Sequence, residues 1–317
     1  MLDQLSTPST SIVQVQNEKR PSLFSRMIRT PGIVVGAIGL FLIALLAFAV
    51  PPLAHLDPYA VDPMSRLQGS SAGHILGTDT FGRDLLARIL SGAQTSLVVG
   101  FLVALVSGVF GTVIGVVAAF NSVLDQILMR FCDGLMAIPA ILLAVALAAA
   151  LGPSTTNLII ALTVVYTPYL ARLVRSRAIA VKSEAFVEAS LSGGARPWHV
   201  ILRHVLPNTM SVIVVQSTFT FAESVIVEAA LSFLGAGVPA PTASWGNILY
   251  DGKSVVASAP QMVVFTSLIL VITILLLNVL GDGLRDLVDR RAQRHIAHFS
   301  IFGIGRKRRT AKKGGAA

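Results

Sequence analysis

Polarity along this chain changes in blocks, not residue by residue. Uncharged apolar runs recur, separated by short polar segments, and about 20 residues of helix suffice to cross a bilayer. The pattern predicts six transmembrane helices. The first, PGIVVGAIGLFLIALLAFAV over 31–50, opens at Pro31 and is closed by Pro51 and Pro52, which lack the amide proton a helix uses. The second runs from about Gly92 to Phe120, long enough to tilt or to project beyond the hydrocarbon. The third, from about Met129 to Leu151, carries Pro139, and the fourth, from about Thr155 to Val174, carries Pro168; both prolines predict kinks. The fifth, from about Asn208 to Leu231, contains Glu223 and Glu228, whereas the sixth, from about Gln261 to Leu280, is uncharged.

The runs divide the chain into a polar segment 1–30, a first helix 31–53, an external segment 54–91 with an interfacial helix, a core 92–283 holding five helices and a polar loop 184–207, and a basic tail 284–317. The expected fold class is an all-α polytopic membrane protein. Lys and Arg concentrate on the cytoplasmic side of such proteins. With the N-terminus inside, the inner segments hold Lys19, Arg20, Arg26, Arg29, Arg130, Arg172, Arg175, Arg177, Lys182, Arg196 and Arg203, and ten more basic residues lie between Arg285 and Lys313. Only Arg66, Arg83, Arg88 and Lys253 fall outside. Both termini are therefore expected in the cytoplasm.

Composition agrees with this class: 54% of residues are hydrophobic and 13% charged, with a mean hydropathy of +0.74. The pI near 10.3 follows from the inner-face excess. RKRRTAKK over 306–313 suits anionic lipid headgroups, so no nucleic-acid partner is expected. Cys132 is the only cysteine, which excludes an intramolecular disulfide. The first run, long and preceded by a polar stretch, reads as a retained helix and not as a cleaved signal peptide.

The loop EAFVEASLSGGARPWHVILRHVLPN, 184–208, reads as helix, break, helix. Glu184 and Glu188 share one face, and Ala185, Ala189 and Ser192 form a small-residue face open to a partner. Gly193-Gly194 ends the first helix and Pro197 opens the second, in which Trp198, Ile201, Leu202 and Val205 form a stripe expected to pack on the membrane domain. By itself such a helix either lies at the headgroup boundary or docks a partner.

Its spacing decides further. Glu188-Ala189-Ser190, three residues, Gly194, nine residues, then His204-Val205-Leu206-Pro207 resembles the EAA loop of binding-protein-dependent ABC transporter permeases. LGTDTFGRDLLARILSGAQTSL over 76–97, EAALSFLGAGVPAPTASWGNIL over 228–249 and LNVLGDGLRDLVDRR over 277–291 resemble the dipeptide and oligopeptide branch of that family, which also includes nickel carriers. The resemblance implies a type I ABC importer permease fold with a cytoplasmic coupling helix and one extra N-terminal span, set in the bacterial inner membrane. It implies as partners a second homologous permease, two cytoplasmic ATPase subunits, an external substrate-binding protein and the lipid bilayer. The cargo implied is di- or oligopeptides, with nickel complexes, opines, glutathione or oligosaccharides as alternatives. No cofactor is expected on this subunit, which is not an enzyme, since ATP and Mg are used by the ATPase partners. Carried over by position, Glu184, Glu188, Ala189, Ser190, Gly194, His204, Leu206 and Pro207 belong to the coupling loop, with Gly194 as the reversal and Leu206-Pro207 as the return to the membrane. Ser190 departs from the family's third Ala, and Gly193 stands where a larger apolar residue is usual.

Other features resolve into simpler expectations. In 76–97, Thr78 or Asp79 caps a helix start, and Arg83, Asp84 and Arg88 serve an interfacial helix or a substrate contact. Asp133 pairs with Arg130, and Gly281-Asp282-Gly283 breaks the sixth helix, leaving Arg285, Asp286 and Asp289 to pair locally. Gly111 and Gly115 form GxxxG with Gly108 near the same face, for close packing within the domain or against a second permease. Asp251-Gly252-Lys253-Ser254 ends like a P-loop, yet Asn247 stands where the motif needs glycine. Neither the His199/His204 nor the His295/His298 spacing comes with a ligand set, so no metal is expected, and no GxSxG or HExxH is present. Glu223 and Glu228 remain: each faces the translocation path or the partner subunit, and an ion-coupled secondary transporter would use them as coupling sites.

Overall fold

The computed structural model describes residues 30–300, with side chains to Val288. The expectations for segment 1–29, for the side chains of Asp289, His295 and His298, and for RKRRTAKK lie outside them. Helix α1 spans Pro31–Leu53 and runs through Pro51 and Pro52, although the sequence places its end there. Pro51 cannot donate to the Ala47 carbonyl one turn back, and Gln94 Nε2 supplies that hydrogen bond at 2.6 Å.

Helix α2, Leu85–Phe120, is 36 residues long and starts well before Gly92. Its N-cap is Asp84, which accepts from the Ala87 amide at 2.7 Å. The expected cap at Thr78 or Asp79 is thus corrected, and no separate interfacial helix precedes the span.

Pro139 does more than kink the third crossing. Helices α3, Ser122–Met136, and α4, Ala140–Leu151, meet at 94°, making a broken span or a re-entrant pair. The residue before a proline is driven out of the helical region, and Pro139 itself is extended at ψ 130°. Helix α5, Thr155–Lys182, keeps Pro168 inside and runs past Val174. With the bent pair counted as one span, six crossings are available among the described residues.

Helix α6, Ala185–Ser192, is followed by α7, Pro197–Val200, which passes through a π turn at Ile201–Val205 into α8, Leu206–Phe233. The run from Pro197 to Phe233 is 37 residues of unbroken helix. Leu206-Pro207 is therefore a continuation and not a corner. A short α9, Trp245–Lys253, and the long α10, Pro260–Ser300, complete the order.

Helix α10 also runs straight through Gly281 and Gly283, where a break was expected. The glycines serve close approach: a β-carbon on Gly283 would lie 2.8 Å from Ile33 of α1, and one on Gly281 would lie 3.0 Å from Phe219 of α8. Packing against two neighbours offsets the roughly 1 kcal/mol that glycine costs a helix interior.

Helix α2 is the axis of the bundle, packed on α5 along one side and on α8 along another. A β-carbon on Gly111 would meet the Leu170 side chain at 2.8 Å, and one on Gly115 the Ala171 carbonyl oxygen at 2.5 Å, so these glycines bring α2 onto α5 within the domain. Gly108 faces Ser217 of α8 instead. One core cluster joins Val99 and Val103 of α2 to Leu158 and Leu162 of α5 and to Leu231 of α8. A second joins Ile43 and Ala47 of α1 to Leu97, Trp245 and Leu277.

The Gly115 contact falls on backbone, which cannot move aside. Gly115→Leu is expected to destabilise the purified protein by about 1–3 kcal/mol, read as a lower unfolding midpoint in detergent. Gly134→Ala, with nothing within 4 Å, serves as the control and should stay within about 1 kcal/mol of the parent. Equal midpoints for both variants would remove the α2–α5 glycine contact from the account of stability.

Candidate functional site

The two ends of the bundle are built differently. At the end carrying residues 183–205, here termed inner after the charge count, the α6 helix closes through a Schellman arrangement. The Ala195 amide donates to the Ser190 carbonyl at 3.1 Å, the Gly194 amide to the Leu191 carbonyl at 3.0 Å, and Gly194 sits at φ 86°. Gly194 therefore occupies the left-handed position, while Gly193, at φ −75°, does not need to be glycine. Ser190 contributes its backbone carbonyl to the closure, so the departure from alanine there leaves the turn intact.

Val187, Val200 and Val205 are fully buried against Ala119, Ala178 and Val181, and they fasten the loop to the inner ends of α2 and α5. The expected Trp198, Ile201, Leu202, Val205 stripe is corrected: Trp198 is 57% exposed and Leu202 56%. The π turn is the reason. A π turn bonds i to i+5, as the Leu206 amide does to the Ile201 carbonyl, and this brings Val200 and Val205 to one face while rotating Trp198 and Leu202 outward. Phe186, 50% exposed, stacks edge-on against His204 at 5.8 Å. Glu184, Glu188, Ala189 and Pro207 are exposed around this patch, and Leu206 is half-buried.

Ion pairs brace the same end. Arg175 pairs with Asp125 through two hydrogen bonds, one of 2.6 Å, and Lys182 donates to the Ala119 carbonyl at 3.2 Å. Asp133 pairs with Arg172 of α5 at 3.6 Å and not with Arg130. A polar recess of about 400 Å³ lies between Asp133, Arg172, Arg175 and Met129.

At the outer end, residues that the sequence scattered over two segments form one buried charge cluster. Asp79 accepts from Arg83 Nε at 2.6 Å, Arg83 reaches Asp251 at 3.5 Å, and Arg88 lies 3.9 Å from Asp79 while donating to the Pro241 carbonyl at 3.0 Å. Burial pushes the Asp251 carboxyl up from its ordinary range, against the downward pull of Arg83 and Arg88. Asp251 thus locks α9 to the segment before α2, and the burial of Arg83 and Arg88 replaces the expected solvated interfacial helix.

The two carboxylates of α8 have opposite surroundings. Glu228 is completely buried: Ser96 donates to its Oε2 at 2.7 Å and Ser232 to its Oε1 at 2.7 Å, with Ser244 as a third hydroxyl partner. Ser96 and Ser232 in turn accept from the amides of Trp245 and Val238. Glu228 therefore ties α2, α8 and the start of α9 together, away from any path. Glu223 is exposed on the chain's surface, with no hydrogen bond or ion pair among the described residues. On another face of α8, an open apolar groove of about 530 Å³ runs between α2 and α8, lined by Phe101, Leu105, Val113, Met210, Val214 and Phe221.

Among the described residues, no group of three His, Cys, Asp or Glu side chains is placed to hold a metal. Sequence reasoning missed the hydroxyl cradle of Glu228, since Ser96, Ser232 and Ser244 share no local pattern, and it missed the outward face of Trp198 and Leu202.

Comparison with known proteins bears on this arrangement. Residues 111–294 match the family described as binding-protein-dependent transport system inner membrane component. The chain is 40% identical to the dipeptide transport system permease protein of Alkalihalophilus pseudofirmus, over 81% of this chain and 84% of that one. It is also 40% identical to the glutathione transport system permease protein of Pectobacterium atrosepticum, over 81% and 86% respectively. Among solved structures, an inward-facing form of the MetNI methionine ABC transporter aligns with a TM-score of 0.53 at 24% identity, covering 64% of this chain and 96% of that one, which supports the fold alone.

The outer charge cluster gives a direct test. Arg83→Met leaves the buried Asp79 and the half-buried Asp251 with Arg88 as their remaining cation and should cost about 1–3 kcal/mol of stability. Proteolysis of the outer segments in membrane vesicles reads the loss, with Arg66→Met, an exposed residue, as the reference. Equal protection of both variants would show the cluster to be dispensable.

Proposed function

This chain belongs to the family of binding-protein-dependent transport system inner membrane components, and from that membership we propose that it is a permease subunit of an ATP-driven ABC importer of di- or oligopeptides. The observation that carries the reading is the 184–207 loop. Its inward face is fixed by Val187, Val200 and Val205, and its outward face offers Phe186, Trp198 and Leu202. The exposed Glu184, Glu188, Arg196 and Arg203 rim that apolar centre. An apolar centre with a charged rim is the anatomy of a protein interface, and it suits a cleft on a soluble subunit better than hydrocarbon.

In this reading the inner end is cytoplasmic, as the basic residues require, and both termini lie there. ATP and Mg are used by two cytoplasmic ATPase subunits that dock on the loop; the permease itself catalyses no reaction. An external binding protein delivers cargo to the outer end, and a second, homologous permease completes the path. The cargo class follows the relatives named for dipeptides and glutathione. These molecules differ in how their residues are joined, yet each carries a free primary ammonium beside free carboxylate.

Docking makes specific demands on the loop. Gly194 has φ 86°, a conformation costing an L residue roughly 1–2 kcal/mol and closed to proline. Gly194→Pro is expected to abolish ATP-driven uptake by the assembled transporter while insertion into the membrane continues. Ala189→Trp, which fills the exposed small face without straining the turn, should reduce copurification of the ATPase subunits at least tenfold. Normal uptake and normal copurification in both variants would remove the loop from the coupling path.

A further inference from the structure

Glu223 lies on α8 roughly 15 Å from its outer end and 25 Å from its inner end, counted at 1.5 Å per residue. At that depth a charge facing lipid costs about 2.5–3.5 kcal/mol, so the side chain faces protein or water. The spans offer it no cation: there is no Lys, Arg or His in 31–54, 89–120, 140–171, 206–233 or 260–284, and α3 holds only Arg130, near the inner end. Five residues away, the same helix shows how it treats a purely structural carboxylate, saturating Glu228 with three hydroxyls. Glu223 has been left open.

Its neighbours are selective. Tyr166 of α5 lies within electrostatic reach of Glu223 but is itself 5% exposed, its ring packed in the core, and Tyr169, 38% exposed, packs against it with ring centroids 6.5 Å apart. Gln216, two turns toward the inner end on the same face of α8, is half-buried. An open carboxylate at this depth, with an amide two turns along the same face, is a site for an organic cation, since a charge partly withdrawn from water attracts its counter-charge more strongly than in bulk solvent.

We infer that Glu223 binds the primary ammonium of the cargo at mid-membrane during translocation. The inference rests on the peptide reading above, in which every cargo carries that group. A single charge anchor at the ammonium leaves side chains unread, which fits a path that passes peptides of varied sequence.

The assembled transporter, without its binding protein, provides the test. Saturation-transfer NMR would compare trialanine, N-acetyl-trialanine and N-acetyl-Ala-Ala-Lys as probes of the wild type, Glu223→Gln and Glu223→Asp. Wild type is expected to bind trialanine at least tenfold more tightly than N-acetyl-trialanine, Glu223→Gln to lose that preference, and Glu223→Asp to keep part of it. Binding of N-acetyl-Ala-Ala-Lys would extend the site to side-chain ammonium, and its failure to bind would confine the site to the N-terminus. Equal binding of trialanine and its acetyl form, no binding by the wild type, or loss of the second permease from Glu223→Gln preparations would overturn the inference, the last by making Glu223 an interface residue. ATP-dependent uptake of trialanine by the wild type with its binding protein is measured separately. Its absence sinks the peptide reading, whereas uptake without any ammonium preference at the permease sinks only this site.

Discussion

Hydrocarbon offers polar groups no water, so a polar atom within the span has to find its partner in the protein. Much of this structure follows from that constraint. Gln94 on α2 hydrogen-bonds the Ala47 carbonyl that Pro51 strands on α1, and so fixes the register between the two helices. Three serine hydroxyls from separate segments converge on Glu228, which draws the chain after α8 back onto α2 and sets Trp245 into the core. Where the chain itself leaves a carboxylate without a partner, as at Glu223, the missing partner has to come from elsewhere.

The same solvent removes the hydrophobic drive between helices, leaving close contact to hold them. Glycines at Gly111 and Gly115 let α2 approach the α5 backbone, and Gly283 does the same between α10 and α1. Glu223 and Glu228 apart, the charged side chains among the described residues gather at the two ends, where they perform different tasks. At the outer end the buried Asp79, Arg83 and Arg88 meet the half-buried Asp251 and staple two distant segments. At the inner end Asp125–Arg175 and Asp133–Arg172 are more open and brace the helices beneath the loop.

The spans were legible because apolar run length is a one-dimensional property of the sequence. Their ends and breaks were less so. Gly281 and Gly283 carry the local signature of a helix stop, and only the proximity of Ile33 and Phe219 turns them into packing positions. The loop's reversal at Gly194 was readable from spacing, since a left-handed residue needs glycine whatever surrounds it. The face that the following helix exposes was not, because periodicity analysis assumes 3.6 residues per turn and the π turn at Ile201–Val205 widens that period. The partners of Glu228 were beyond reach for a different reason: Ser96 and Ser244 are far from it in sequence, and serine in a helix is compatible with many roles.

The π turn also has a mechanical consequence. It realigns faces without breaking the rod, so the helical run from Pro197 to Phe233 carries the exposed Trp198 and Leu202, the open Glu223 and the buried Glu228 on one continuous element. At 1.5 Å per residue that element is roughly 55 Å long, more than the hydrocarbon thickness. A push on Trp198 at the inner end therefore needs no chain of loops to reach Glu223, because both ride on the same helix. Glu228 and its serines hold the outer end to α2, and Val200 and Val205 hold the inner end against α2 and α5. A rod anchored near both ends passes a displacement of the exposed Trp198 to α2 and α5 as well, and Glu223 lies between the two anchors.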